Sequence, residues 1–312
     1  MNDKLIHSAL FGLAVGDALG VPVEFESRET LKRFPVKSMQ ENGTHRQPLG
    51  TWSDDSSLTF CLADSLCDGY NLEHIATKFL QWKNEEIWTP HGRVFDIGIA
   101  TQFAINRISK GETPILCGGF SEQDNGNGSL MRILPLAFYL KDEQDTTVIF
   151  EKVKEVSSIT HAHFRSVFAC FIYIIYAIEL FKRENKFEAY NKAKSVISDF
   201  ISINDFNKTE IQLFDRILKG SIKELAEEEI YSSGYVLHSL EASFWCVLTS
   251  ASYQETVLKA VNLGEDTDTT AAISGGLAGI IYGIGTIPKD WLNVLVKKKS
   301  IEDLCDKFNY KF

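Results

Sequence analysis

Residues 261–283 read VNLGEDTDTTAAISGGLAGIIYG. From Ala271 onward the run is small and apolar, with Ala271, Ala272, Ile273, Gly275, Gly276, Ala278 and Gly279. At helical spacing this leaves no polar face, which predicts a helix packed tightly inside the protein. Asp266 and Asp268 follow Gly264, where a loop becomes that helix. Acids at the mouth of a buried helix need a counter-charge.

Outward from this stretch, helical periodicity continues. Leu5, Ile6, Ala9, Leu10, Leu13 and Ala14 form one stripe that Gly20 can end, and Leu58, Cys61, Leu62, Ser65 and Leu66 form another before Gly69. Further helical patterns cover Phe103–Ile108, Leu130–Leu140, Val148–Val156 and Ser239–Ser250. Val167–Phe181 is the most apolar stretch, too short to span a bilayer comfortably, and predicts a buried central helix. Residues 182–229 are rich in Lys and Glu. Apolar residues at helical spacing there, such as Ile197, Phe200, Ile201, Ile211, Phe214, Ile217 and Leu218, predict surface helices. No period-2 run argues for a sheet. The expectation is an all-α fold, a single compact multi-helix domain over 1–312. Its irregular stretches, 39–56, 111–129 and 262–269, are long enough to suggest function.

Composition narrows the function classes. The chain has 312 residues, 44% hydrophobic and 24% charged, with net charge −10. That balance offers no footprint for long nucleic acid or an anionic membrane. Asp3 and Asp17 spoil a signal-peptide reading of the N-terminus. The six cysteines form no CxxC pair, which predicts buried reduced thiols and a cytoplasmic home.

A second acidic cluster sits in TWSDDSSL, residues 51–58. Neighbouring helical residues point about 100° apart, so Asp54 and Asp55 can converge only from a loop or a first turn. Ser, Thr and Asp are also favoured helix caps, so each cluster alone reads most simply as capping. Together they hold more acid than caps need, with no Lys or Arg among them. Asp54, Asp55, Asp266 and Asp268 would balance two divalent cations, and Ser53 and Thr269 would add hydroxyl ligands. All-oxygen ligation suits Mg²⁺, Mn²⁺ or Ca²⁺ and disfavours zinc.

Seven segments in order then resemble the ADP-ribosylglycohydrolase family. They are FGLAVGDALGVPVEF (11–25), GTWSDDSSL (50–58), FDIG (95–98), GNGSLMRILPL (126–136), ITHAHFRS (159–166), SSGYVLHSLEASFW (232–245) and NLGEDTDTTAAISGGLAGIIYG (262–283). The resemblance implies an all-α hydrolase with two Mg²⁺ or Mn²⁺ ions on Ser53, Asp54, Asp55, Asp266, Asp268 and Thr269. The first of these is more often Thr in the family. Such an enzyme cleaves the bond between ADP-ribose and a modified acceptor, with protein arginine the best known and small molecules also possible, and releases ADP-ribose.

By the same resemblance, Asp55 or Asp266 takes the proton of the attacking water. Glu24 gates the site or protonates the leaving group, although alone it reads as an exposed loop acid. Gly126, Asn127, Gly128 and Ser129 are assigned to the diphosphate, where glycines admit close approach and amide N–H groups favour anions. His161 is placed near the phosphate or distal ribose, and Asp96 and Tyr235 in the pocket. His238 stands where many members carry an acid. Asp17 lies on an apolar stripe and reads as a structural hydrogen-bond acceptor. Trp52, Phe120 and Tyr282 are candidates to stack on adenine, against the ordinary reading of aromatics as core. The rival reading is a non-catalytic ADP-ribose-binding or partner-blocking immunity or regulatory protein; the intact SDD and DTDT clusters argue against it.

Overall fold

The computed structural model describes residues 4–182 and 185–312. Asp3, and residues 183–184 of the expected surface helices, lie outside them.

Two helices, Leu5–Gly20 and Thr267–Tyr282, run antiparallel with their backbones in contact. A Cβ on Gly16 would sit 2.1 Å from Ala271 O, and one on Gly279 would sit 1.9 Å from Ser8 O. Only glycine fits such an approach, which explains the small residues on both helices. The Thr267 hydroxyl ties the pair further by donating to Gly20 O at 2.9 Å, and Tyr253, from the helix Tyr253–Asn262, donates to Gly12 O at 2.7 Å. The antiparallel register brings the end of Leu5–Gly20 to the start of Thr267–Tyr282. Glu24 and Asp268 thereby become neighbours although they lie far apart in sequence.

Around this pair pack Asp54–Cys67, Phe164–Lys182, Val236–Thr249 and Tyr253–Asn262. Phe164–Lys182 is buried from Ser166 to Leu180 and supplies Tyr173, whose hydroxyl donates to Ile273 O. It and Leu5–Val23 are long and apolar enough to cross a membrane by length and composition, but both are largely enclosed by the protein. The six cysteines are buried and free. Among the described residues there is no β-strand, only isolated bridges such as Gly119–His161 and Gly126–Tyr235.

The helix expected over Leu130–Leu140 forms only at Pro135–Tyr139. Proline lacks an N–H and clashes with the carbonyl four residues earlier, so it starts a helix rather than continuing one. Residues 128–132 form turns instead, leaving the preceding glycines outside any helix. Within 182–229, one long helix, Lys186–Ile203, is followed by the short Lys208–Gln212 and Asp215–Leu218.

Candidate functional site

The site is built from Asp17 outward. Its buried carboxylate accepts Ser53 N at 2.9 and 3.1 Å, Ser56 N at 3.0 Å and Ser56 Oγ at 2.6 Å. Burial nevertheless raises its pKa to about 6, against those hydrogen bonds. The contacts fix the turn so that Ser53 caps the Asp54–Cys67 helix, its hydroxyl 3.2 Å from Asp55 N. Asp54 and Asp55 occupy that helix's first turn.

The two acidic clusters meet. Thr269 Oγ1 donates to Asp55 Oδ2 at 3.2 Å, across 214 residues of sequence, and Ser53 Oγ donates to the same oxygen. Carboxylate oxygens of Glu24, Asp266 and Asp268 lie within 4.8 Å of one another. Capping does not account for this. Asp266 holds the N-cap position without a capping hydrogen bond; its Oδ2 instead accepts Asn127 Nδ2 at 2.8 Å. Asp55 Oδ1 and Asp268 Oδ2 are buried with no donor among the described residues.

Burial, then crowding by other carboxylates, pushes Asp54, Asp55 and Asp268 well above the usual carboxylate range; Asp266 is also raised, chiefly by burial. Among the described residues, no Lys or Arg lines the adjoining cavity of about 350 Å³. Hard oxygen donors, orphaned lone pairs and uncompensated charge fit a hard divalent cation.

Glu24 is 6% exposed, so it is no loop acid facing water. It hydrogen-bonds His45 Nε2, and its oxygen, the His45 nitrogen and an Asp96 oxygen form a second close group. Burial raises Glu24 to about 7, while the Glu24 contact raises His45. Asp96 lines the cavity in a left-handed backbone conformation, φ 48°, and burial raises it as well. His45 has no signature in the sequence. Nothing in THRQ marks it; its loop is placed by Thr44, whose Oγ1 donates to Glu24 O at 2.7 Å.

Another wall of the cavity is the 126–128 turn. Asn127 N donates to Gly234 O and Val236 N to Asn125 O, both at 3.0 Å, so the turn is pinned to the Tyr235 segment. Gly126, Asn127, Gly128, His161 and Gly234 line the cavity. Ser129 and Tyr235 are not in its lining: Ser129 is buried behind the wall, accepting Ser157 Oγ at 2.9 Å, and Tyr235 stands edge-on to His238. His238 is hydrogen-bonded to Ser233 Oγ at 2.7 Å and stacks on the exposed Tyr231. Of the aromatic candidates, Trp52 is core, donating to Val296 O, and the Tyr282 hydroxyl donates to Ser250 O; neither lines the cavity. Phe120 is 79% exposed and next to Gly119.

The raised carboxyls carry a stability consequence. Between the ordinary carboxylate pKa, near 4, and the raised values, the metal-free fold binds more protons than the unfolded chain, so its stability falls as pH rises. EDTA-treated protein is therefore expected to gain more from Mg²⁺ at pH 8 than at pH 5. At Mg²⁺ a hundredfold above its pH 8 Kd the gain in Tm at pH 8 is roughly 4 °C for a chain of this length. Thermal melts at both pH values check this; a gain that is absent or independent of pH contradicts the site.

Comparison with known proteins agrees with this geometry. Residues 2–312 match the family model described as ADP-ribosylglycohydrolase. The chain is 32% identical over 307 residues to the ADP-ribosylarginine hydrolase Tri1 of Serratia proteamaculans, covering 97% of this chain and 78% of that protein. It is 28% identical to the ADP-ribosyl-[dinitrogen reductase] glycohydrolase of Rhodospirillum rubrum, covering 96% and 92%. A solved structure described as an ADP-ribosylglycohydrolase-related protein complex superposes with a TM-score of 0.82 at 30% identity, covering 99% of this chain and 98% of that one.

Proposed function

Because this chain belongs to the ADP-ribosylglycohydrolase family, we propose that it hydrolyses the N-glycosidic bond between ADP-ribose and a modified protein arginine, with two Mg²⁺ or Mn²⁺ ions as cofactors. The observation that carries this is the Thr269–Asp55 hydrogen bond, which joins the two acidic clusters at one cavity. The arginine acceptor is supported by the name of the Serratia relative.

Ser53, Asp54, Asp55, Asp266, Asp268 and Thr269 would hold the ions. Bound there, the ions supply Lewis-acid polarisation of substrate oxygens and a lowered water pKa. Asp55 or Asp266 accepts the water's proton as the anomeric carbon passes through an oxocarbenium-like state. Glu24, with a pKa of about 7 and hydrogen-bonded to His45, is suited to give a proton to the leaving guanidine. Asp96 faces the cavity beside it. The 126–128 backbone and His161 take the diphosphate side, and the buried reduced thiols support a cytoplasmic setting.

The test is a panel of ADP-ribosylated arginine, serine, guanine and thymidine substrates with Mg²⁺. Free ADP-ribose is expected fastest from the arginine substrate, by roughly tenfold or more, and EDTA is expected to stop its release. Equal rates across the panel would remove the arginine assignment, and no release from any substrate would remove the enzyme.

A further inference from the structure

Arg132 is fully buried, with its guanidinium 4.7 Å above the Phe79 ring. Nε and Nη1 have no hydrogen-bond partner among the described residues. Nη2 donates to Thr160 Oγ1 at 2.6 Å and, more weakly, to Val156 O at 3.4 Å. Thr160 Oγ1 in turn lies 2.9 Å from His161 Nδ1. His161 turns its other edge to the cavity: a Cβ on Gly128 would be 2.8 Å from Cε1, and one on Gly126 3.4 Å from Nε2.

The direction of each bond follows from the groups. A guanidinium only donates, so Thr160 Oγ1 accepts from Arg132. The threonine hydrogen then has one acceptor among its hydrogen-bond partners, His161 Nδ1. A nitrogen that accepts carries no proton, so the neutral ring holds its hydrogen on Nε2. We infer that Arg132 and Thr160 are positioning residues that lock His161 in the Nε2–H form, making it a neutral hydrogen-bond donor to an anionic oxygen in the cavity. Protonation of the ring is opposed by burial and by Arg132, which outweigh the nearby Asp124 carboxylate and lower its pKa to about 3. Arg132 itself stays charged, its pKa lowered by burial only to about 10.

Identifying that oxygen as one of the ADP-ribosyl diphosphate rests on the functional reading above; the lock itself does not. The experiment is long-range ¹H–¹⁵N correlation on the histidine-labelled full chain with Mg²⁺, from pH 5.5 to 8, with His161 assigned through His161→Gln. Wild type is expected to show a protonated Nε2, a bare Nδ1 and no titration. Thr160→Val removes the hydroxyl and is expected to mix the two ring forms and weaken ADP-ribose binding about tenfold. Thr160→Ser, which keeps the hydroxyl, is expected to restore both and serves if the valine variant folds poorly.

A protonated Nδ1, titration near neutrality, or unchanged nitrogen shifts in a folded Thr160→Val protein would overturn the lock. Intact lock signals that do not respond to bound ADP-ribose would support the lock and overturn the diphosphate placement.

Discussion

The Asp55→Asn protein is expected to release ADP-ribose at least about 10³-fold more slowly than the parent while remaining folded, a loss of ~4 kcal/mol of transition-state stabilisation. Asp55 accepts from both Ser53 and Thr269 through Oδ2 and leaves Oδ1 without a donor, so its second oxygen is free for an ion. Asparagine keeps the shape and removes the charge. Most buried polar substitutions destabilise, yet here the folded state already resists ionisation of this group. In EDTA at pH 8 the variant should therefore melt at or above the parent. Calorimetry should find its Mg²⁺ uptake weakened or lost. Activity lost together with a lower EDTA-state Tm would point to ordinary unfolding and away from a metal ligand. Near-parental turnover would remove Asp55 from the site.

The legible parts of the site were those written in local chemistry. Two acid-and-hydroxyl clusters without Lys or Arg signal a cation, and a first turn is the one place on a helix from which adjacent acids converge. The antiparallel helix pair was half legible: small residues at 271–279 announce a close neighbour without saying which. His45 was not legible, because its role depends on a loop carried to Glu24 by Thr44 and on no pattern of its own. Ser129 shows the opposite error. It belongs to a motif at the cavity, but the turn that presents Gly128 points the next side chain inward to Ser157. Leu130–Leu140 looked helical because its apolar spacing is right, and Pro135 overrode the pattern. Trp52 and Tyr282 failed as stacking candidates because each indole or phenol polar atom is tied to a backbone carbonyl away from the cavity.

The other large effect is expected from one methyl group. Gly16→Ala would put Cβ 2.1 Å from Ala271 O and 2.7 Å from its carbonyl carbon. Both are backbone atoms of a buried helix, so no side chain can swing aside, and the helices must separate. Overpacking of this kind costs ~3 kcal/mol or more, which lowers Tm by about 5 °C or more in a chain of this length. The injury extends to chemistry, because Gly16 precedes Asp17, which holds the Ser53 turn, and Ala271 follows the Thr269–Asp55 contact by two residues. A shift of about 1 Å there can lower turnover on the order of 10²-fold even where the protein is still folded. Gly69→Ala is the control: that glycine has φ 101° but open space around its Cβ position, so the variant should lose only ~1–3 kcal/mol of stability to backbone strain and keep its turnover. A Gly16→Ala protein that melts within about 2 °C of the parent would mean that the helices do not meet backbone to backbone, and the route that brings Glu24 to Asp268 would fall with that contact.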